Sequence, residues 1–277
     1  MLFAGIYRNH RFSPNHIGND RALFGPVAGH LREMGYQVNE YSEDEAMKGL
    51  GERHIFAMAR EPHVVRMLQS LEDDGARVIN SGYGIENCYR MNMTRLFNEA
   101  GVPMPDNITV NTRQPDAVHF LNLIPGWVKR GDFHAINKED VSFVRNADEG
   151  RSILAEYAWR GIETAVLNKH IVGDLVKFYG VRGTDFFFHF YPEEYQHSKF
   201  GNETVNGKSE HYPVHIDELK NISAHAADVL DIDIYGGDAI ITPDENIYLI
   251  DMNDFPSFAP CREQAASVIA ERIHQFI

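Results

Sequence analysis

The chain has 277 residues, is 43% hydrophobic and carries a formal net charge of −14 with a sequence pI near 5.4. That is enough apolar content for one large domain or two smaller ones. The acidic balance excludes a general nucleic-acid binder, which needs clustered Lys and Arg to neutralise phosphates. The opening MLFAGIYRNHRF has a six-residue apolar run, too short for a signal-peptide core. No later segment is apolar enough to span a bilayer, so we read a soluble, cytoplasmic protein with no membrane and no nucleic-acid partner.

In chain order, LFAGIYR predicts a first strand and DRALFGPVAGHLREMGY a helix, with Leu23, Phe24, Val27, Ala28 and Leu31 at helical spacing. QVNEYS and HIFAMA predict two more strands. PHVVRMLQSLEDDG predicts a helix with Pro62 near its start and Gly75 at its end, and ARVIN the next strand. This alternation implies a small α/β layer on a largely parallel sheet. SGYGIENCYR breaks the pattern. A helix over RMNMTRLFNEAG follows, then a turn at VPMPDN, strands at GWVKRG and DVSFVRN, and a helix over DEGRSILAEYAWRG. TAVLNKHI, LVKFYGV and DFFFHFY predict further strands, with Phe186–Phe188 and Phe190 as core. HIDELKNISAHAADVLDI predicts a helix, YGGDAIITPDENIYLIDMN a hairpin and EQAASVIAERIHQFI a terminal helix. The second part is α+β with mainly antiparallel strands. The Gly-containing stretch after His197 reads as a loop that closes over substrate. Cys88 and Cys261 form neither a disulfide framework nor a metal spacing and read as inert thiols.

The hairpin carries the chemistry. With PDEN as its four-residue turn, Thr242 faces Ile247, and counting back along both strands sets Asp238 opposite Asp251. Asn253 falls on the same face as Asp251. Opposed carboxylates in an apolar hairpin repel unless a cation, a proton or water joins them, and a hard divalent ion suits Asp, Asp and Asn. Lys129 in GWVKRG and Lys177 in LVKFYGV lie on apolar strands, where an ammonium group calls for an anion such as phosphate.

From Ser81 onward, the order INSGYGIENCYRMNMTRLFNEAGVPMP, GWVKRG, AVLNKHIVGDLVKFYGV and GGDAII with IYLIDMNDFPSF resembles the ATP-grasp enzymes. The resemblance implies an α/β plus α+β protein: an N-terminal Rossmann-like domain over 1–84 and an ATP-grasp region over 85–277, with a lid subdomain at roughly 109–167. It implies ATP and Mg²⁺ as cofactors, usually two ions, with Mn²⁺ able to substitute. Lys129 and Lys177 would contact ATP phosphates, Lys177 also serving catalysis. The linking segment Asn168, Lys169, His170 and Ile171 would hold adenine, read by backbone groups of Lys169 and Ile171. Asp174 would take the ribose, and Asp238, Asp251 and Asn253 would hold the metal. Arg90 stands where many members have a phosphate-binding lysine, and Asp251 where a glutamate is usual; LNKHI departs from the common acidic form.

Two reactions share such a site. Most members join a carboxylate to an amine through an acylphosphate, as in the branch of ribosomal-protein glutamate ligases. The kinase branch typified by inositol-trisphosphate kinase phosphorylates a hydroxyl, and KRGDFHAINKEDVSFV, with His134, is similar to it. Retention of both Asp238 and Asp251 argues against a non-catalytic nucleotide-binding regulator. We expect ligation of a small-molecule carboxylate to an amine, with the kinase as alternative; a homodimer is compatible with either. Candidate substrate contacts are Ser13, His16 and Asn19 after the first strand, with His134 and Arg182; Arg262, after the metal strand, is a further catalytic candidate through its fork of donors.

Overall fold

The computed structural model describes residues 1–12, 17–114, 122–194, 205 and 207–276. The N-terminal part is a four-stranded parallel sheet in the order β2–β1–β3–β4, built from β1 (Leu2–Tyr7), β2 (Gln37–Ser42), β3 (His54–Ala57) and β4 (Arg77–Ile79). Helix α1 (Ile17–Glu33) begins three residues before Asp20 and carries Pro26 inside it. Its predicted apolar stripe, Leu23, Phe24, Val27, Ala28 and Leu31, is fully buried. A four-residue helix α2 (Glu43–Ala46) separates β2 from β3, and α3 (Pro62–Asp73) starts at its proline.

Where SGYGIENCYR predicts a break, the chain forms a short helix, α4 (Gly82–Asn87). The glycines there serve close packing: a Cβ on Gly84 would lie 2.1 Å from the Asp231 carbonyl oxygen. The Ser81 hydroxyl starts this helix by accepting the Tyr83 N–H. Helix α5 (Arg90–Ala100) ends as expected, with Gly101 in the left-handed conformation at φ 70°.

A second sheet, antiparallel in the order β5–β8–β6–β7, is built from β5 (Asn107–Asn111), β6 (Gly126–Arg130), β7 (Val141–Val144) and β8 (Thr164–Lys169), with α6 (Ala147–Trp159) packed on it. Strand β5 is a polar edge strand that begins at the end of the segment predicted as a turn. The third sheet, also antiparallel, is ordered β10–β9–β11–β12: β9 (Asp174–Val181), β10 (Phe187–Phe190), β11 (Ile234–Ile241) and β12 (Ile247–Asp254). Because β10 is an edge strand, only Phe190 of its phenylalanines is fully buried; Phe186, Phe187 and Phe188 are half-buried.

Helices α5 and α7 (Ile216–Leu230) cover one face of this sheet, with Phe97, Leu219, Ala226 and Leu230 packed against Val176, Phe178 and Leu249. The terminal helix α8 (Arg262–Gln275) joins α1 in one core with Phe3, Phe56, Ile234, Phe255 and Phe258. The N-terminal sheet and the end of the third sheet therefore share a hydrophobic core. No helix among the described residues is long and apolar enough to cross a membrane. Cys88 and Cys261 are both buried free thiols.

The hairpin pairs Asp238 with Asp251 as expected, but by a different route. Its turn is one residue longer than expected, with Ile241 rather than Thr242 opposite Ile247. A β-bulge between Asp238 and Ala239 then restores the expected pairing, leaving Ile250 as the extra residue.

Candidate active site

A cavity of about 290 Å³ opens where the three sheets meet. Across its floor Lys177 on β9, Asp238 on β11 and Asp251 on β12 are direct neighbours, so one cation and two carboxylates form a row over three strands. Lys177 Nζ lies 2.9 Å from Asp238 Oδ1, and Arg90 Nη1, from the start of α5, lies 3.3 Å from Asp251 Oδ1. Each carboxylate is thus compensated by a basic neighbour rather than left against the other. Asn253 follows on the same face, opposite Gly236.

The bulge aims a further group. Ile250, freed from the ladder, accepts a hydrogen bond on its carbonyl from Lys129 Nζ at 3.0 Å, while its side chain lines the cavity. Lys129 reaches across from β6, so its ammonium group bridges two sheets. Burial, then the charge of Arg90, pushes the Lys129 pKa down to about 7. Burial would raise the Asp251 carboxyl, but the charges of Arg90 and Lys129 prevail and hold it at about 2.

Among the described residues no three His, Cys, Asp or Glu side chains gather into a metal cage. The row offers two carboxylates and, from Asn253, an amide oxygen, with both carboxylate side chains 26% exposed. That donor set fits a hard ion that completes its shell with water and phosphate oxygens, as Mg²⁺ does.

One end of the cavity is apolar, formed by Trp127, Ile171, Leu175, Ile240 and Ile250. Trp127 Nε1 donates to His170 Nδ1 at 3.3 Å, fixing both rings. The Lys169 N–H is donated to Asp106 and the His170 N–H to Pro125, while the Ile171 N–H has no hydrogen bond among the described residues. A flat slot with a free backbone donor at its rim suits a planar heterocycle. Every nucleotide and metal candidate from the sequence lies on this cavity wall except Asp174. Asp174 is buried beneath a neighbouring segment, accepting the Glu210 and Tyr212 N–H groups at 2.7 Å each.

The substrate candidates fare differently. Arg182 forms an ion-pair network with Asp228 and Asp231 away from the cavity. Arg262, the first residue of α8, turns its guanidinium to the Asn19 side chain of α1, and neither lines the cavity. His134 is buried behind the wall, its Nε2 3.1 Å from Asp254 Oδ1; burial and the charge of Arg60 depress its pKa to about 4, so it is neutral at pH 7. Ser13, His16 and the stretch after His197 lie outside the described residues, apart from Val205.

Sequence reasoning missed Arg8, Asp20 and Arg60, which line the end of the cavity facing the N-terminal sheet. Their one visible signal is position: Arg8 and Arg60 follow the buried runs of β1 and β3 at the carboxyl edge of a parallel sheet, where such folds bind ligands. Arg8 donates Nε to the Met58 carbonyl and Nη2 to the Phe255 carbonyl, with Nη1 3.4 Å from Asp20.

No family profile and no curated protein matches the sequence. Solved structures do match in shape. The D-alanine–D-alanine ligase from Bacillus anthracis complexed with ATP superposes with a TM-score of 0.72 at 14% identity, over 100% of this chain and 96% of that one. A second structure of the ligase from that organism gives 0.71 at 13% identity, over 99% and 96%. The D-alanyl-alanine synthetase A from Vibrio cholerae O1 biovar eltor str. N16961 gives 0.71 at 11% identity, over 100% and 97%. The chain has the ATP-grasp fold over its full length.

Proposed function

We propose that this chain, ATP-grasp by fold, is an ATP- and Mg²⁺-dependent ligase that joins a small-molecule carboxylate to an amine. The observation that carries the reading is the row Lys177–Asp238–Asp251, flanked by Arg90 and Lys129 and set beside the apolar slot. The slot takes adenine, with the Ile171 N–H as edge donor. Lys129 and Lys177 face the phosphates, and the sheet of β5–β8 acts as the lid. Asp238, Asp251 and Asn253 would hold magnesium, which supplies charge neutralisation on the phosphoryl oxygens. Lys177 and Arg90, now paired with Asp238 and Asp251, would turn to phosphate oxygens when those carboxylates hold magnesium.

The reaction needs positioning rather than a protein nucleophile. A carboxylate oxygen of the substrate attacks the γ-phosphorus, the bond to the β-phosphate oxygen breaks, and ADP leaves. The amine then attacks the acyl carbon; inorganic phosphate leaves and the amine gives up a proton.

Charge favours this over a polyphosphate kinase. Lys169 turns outward to Asp106, 3.6 Å away. The remaining cationic wall residues are Arg8, Arg60, Arg90, Lys129 and Lys177, against Asp20, Asp238 and Asp251 on the wall and Asp254 behind it. The surplus is one positive charge. A nucleoside triphosphate with two divalent ions is about neutral, so the wall matches a monoanionic acid and is too weakly basic for an inositol polyphosphate. The solved ligases named above are consistent with this reaction class.

The test is Mg²⁺-dependent ADP release with panels of acids and amines, with the product identified by mass. Asp251→Asn should lower turnover at least a hundredfold. A phosphorylated alcohol as product, or full turnover by the variant, would overturn the reading.

A further inference from the structure

Arg60 lies on the cavity wall yet is only 4% exposed. Its backbone N–H is donated to the Glu43 carboxylate at 3.2 Å, and Glu43 also accepts the Asn9 and Glu61 N–H groups, so the loops after β1 and β3 are clamped together at this end. The guanidinium is far less well served. Nη2 sits 3.4 Å from Asp254 Oδ1 and 3.5 Å from the Asp254 carbonyl oxygen. Nε is buried without a hydrogen bond, and Nη1 has none among the described residues. Arg8 beside it differs, since all three of its nitrogens meet acceptors. The cavity therefore ends on a fixed, buried guanidinium whose Nη1 has no acceptor among the described residues, while Nε is sealed from solvent. A charged donor held this way is incomplete without an acceptor, and a carboxylate matches the end-on fork of Nη1 with the second hydrogen of Nη2.

Position agrees. Arg60 contacts Asp254, which lies three residues beyond Asp251 on β12, about 10 Å of strand. A small acid bound there lies on the side of the metal row away from the apolar slot.

We infer that Arg60 is the specificity-determining anchor of the acid substrate, receiving a carboxylate on Nη1 and Nη2 at the N-terminal end of the cavity. The inference deepens the ligase reading and rests on it for the identity of the ligand as substrate. Arg60 selects for a small monoanion, and Glu43 holds its loop in place.

Isothermal titration tests this with acetate, L-alanine, D-alanine, succinate and inorganic phosphate as probes, each with and without saturating Mg²⁺ and a non-hydrolysable ATP analogue. At least one carboxylate probe should bind saturably to the wild type. Arg60→Met should weaken it tenfold or more while the nucleotide affinity stays within twofold. Arg60→Lys, which keeps the charge and loses the fork, should give an intermediate loss and stands in if Arg60→Met does not fold. Equal carboxylate binding by wild type and variants overturns the inference, as does binding of phosphate alone or of no probe. Failure of the nucleotide to bind would instead sink the ligase reading. The nucleotide-free titrations separate the two, because carboxylate binding that depends on Arg60 supports the anchor with or without nucleotide.

Discussion

Lys129 carries an amino group in a buried site whose only hydrogen-bond acceptor among the described residues is the Ile250 carbonyl. At pH 8 a lysine with a pKa near 7 is mostly neutral in the free protein. Triphosphate bound against it favours the charged form, so nucleotide binding at that pH should take up a proton. Titration calorimetry in HEPES and in Tris should give enthalpies that differ by the buffers' ionisation heats, and Lys129→Met should remove the difference and weaken binding at least tenfold. Identical enthalpies in both buffers for the wild type would refute the assignment. At this scale the sequence revealed the strand lysines and the carboxylate row, because a charge on an apolar strand is conspicuous. It did not reveal Arg8 and Arg60, whose partners Asp20 and Asp254 lie 12 and 194 residues away. Arg182 and Arg262 misled for the same reason: a residue following a strand carries no mark of which way its side chain turns.

Elements were legible where periodicity or capping was strong. The stripe of α1, the proline start of α3 and the glycine end of α5 all appear as read. The helix at Gly82–Asn87 was not legible, because its glycines answer to the distant Asp231 carbonyl and to α3. The bulge was also hidden, since turn counting assumes an unbroken ladder. Its partner strand supplies a sharp test. A Cβ on Gly237 would lie 2.4 Å from the Asp251 carbonyl oxygen. Backbone cannot yield as a flexible side chain does, so Gly237→Ala must part β11 from β12 beside the carboxylate pair. The expected cost is about 1–3 kcal/mol in urea unfolding, with Mg²⁺-dependent turnover falling at least tenfold. Wild-type stability and turnover in the variant would mean that the spacing of the two strands does not set the metal donors.

Across the whole molecule, one carboxylate ties the parts together. Asp254 at the end of β12 is completely buried, with Arg60 Nη2 3.4 Å, Arg8 Nη2 3.6 Å and His134 Nε2 3.1 Å from its oxygens. These partners come from the loops after β3 and β1 and from the loop between β6 and β7, so all three sheets meet at this side chain. Burial alone would raise its pKa, but Arg60 leads the partners that pull it well below the usual carboxylate range. Removing it strands the buried Arg60 guanidinium and takes one of two carboxylates from Arg8, so Asp254→Ala should cost about 3–5 kcal/mol in urea unfolding at pH 7. The pH dependence has a definite sign. A carboxyl whose folded pKa is depressed contributes stability that is fully present above its unfolded value and fades as pH falls through the folded one. The gap between wild type and Asp254→Ala should therefore be widest near neutrality and narrow as the medium is acidified below about pH 4. A loss under about 1 kcal/mol at pH 7, or a gap that widens in acid, would show that the three sheets are joined by their shared apolar core alone and that the ionic hub adds nothing to it.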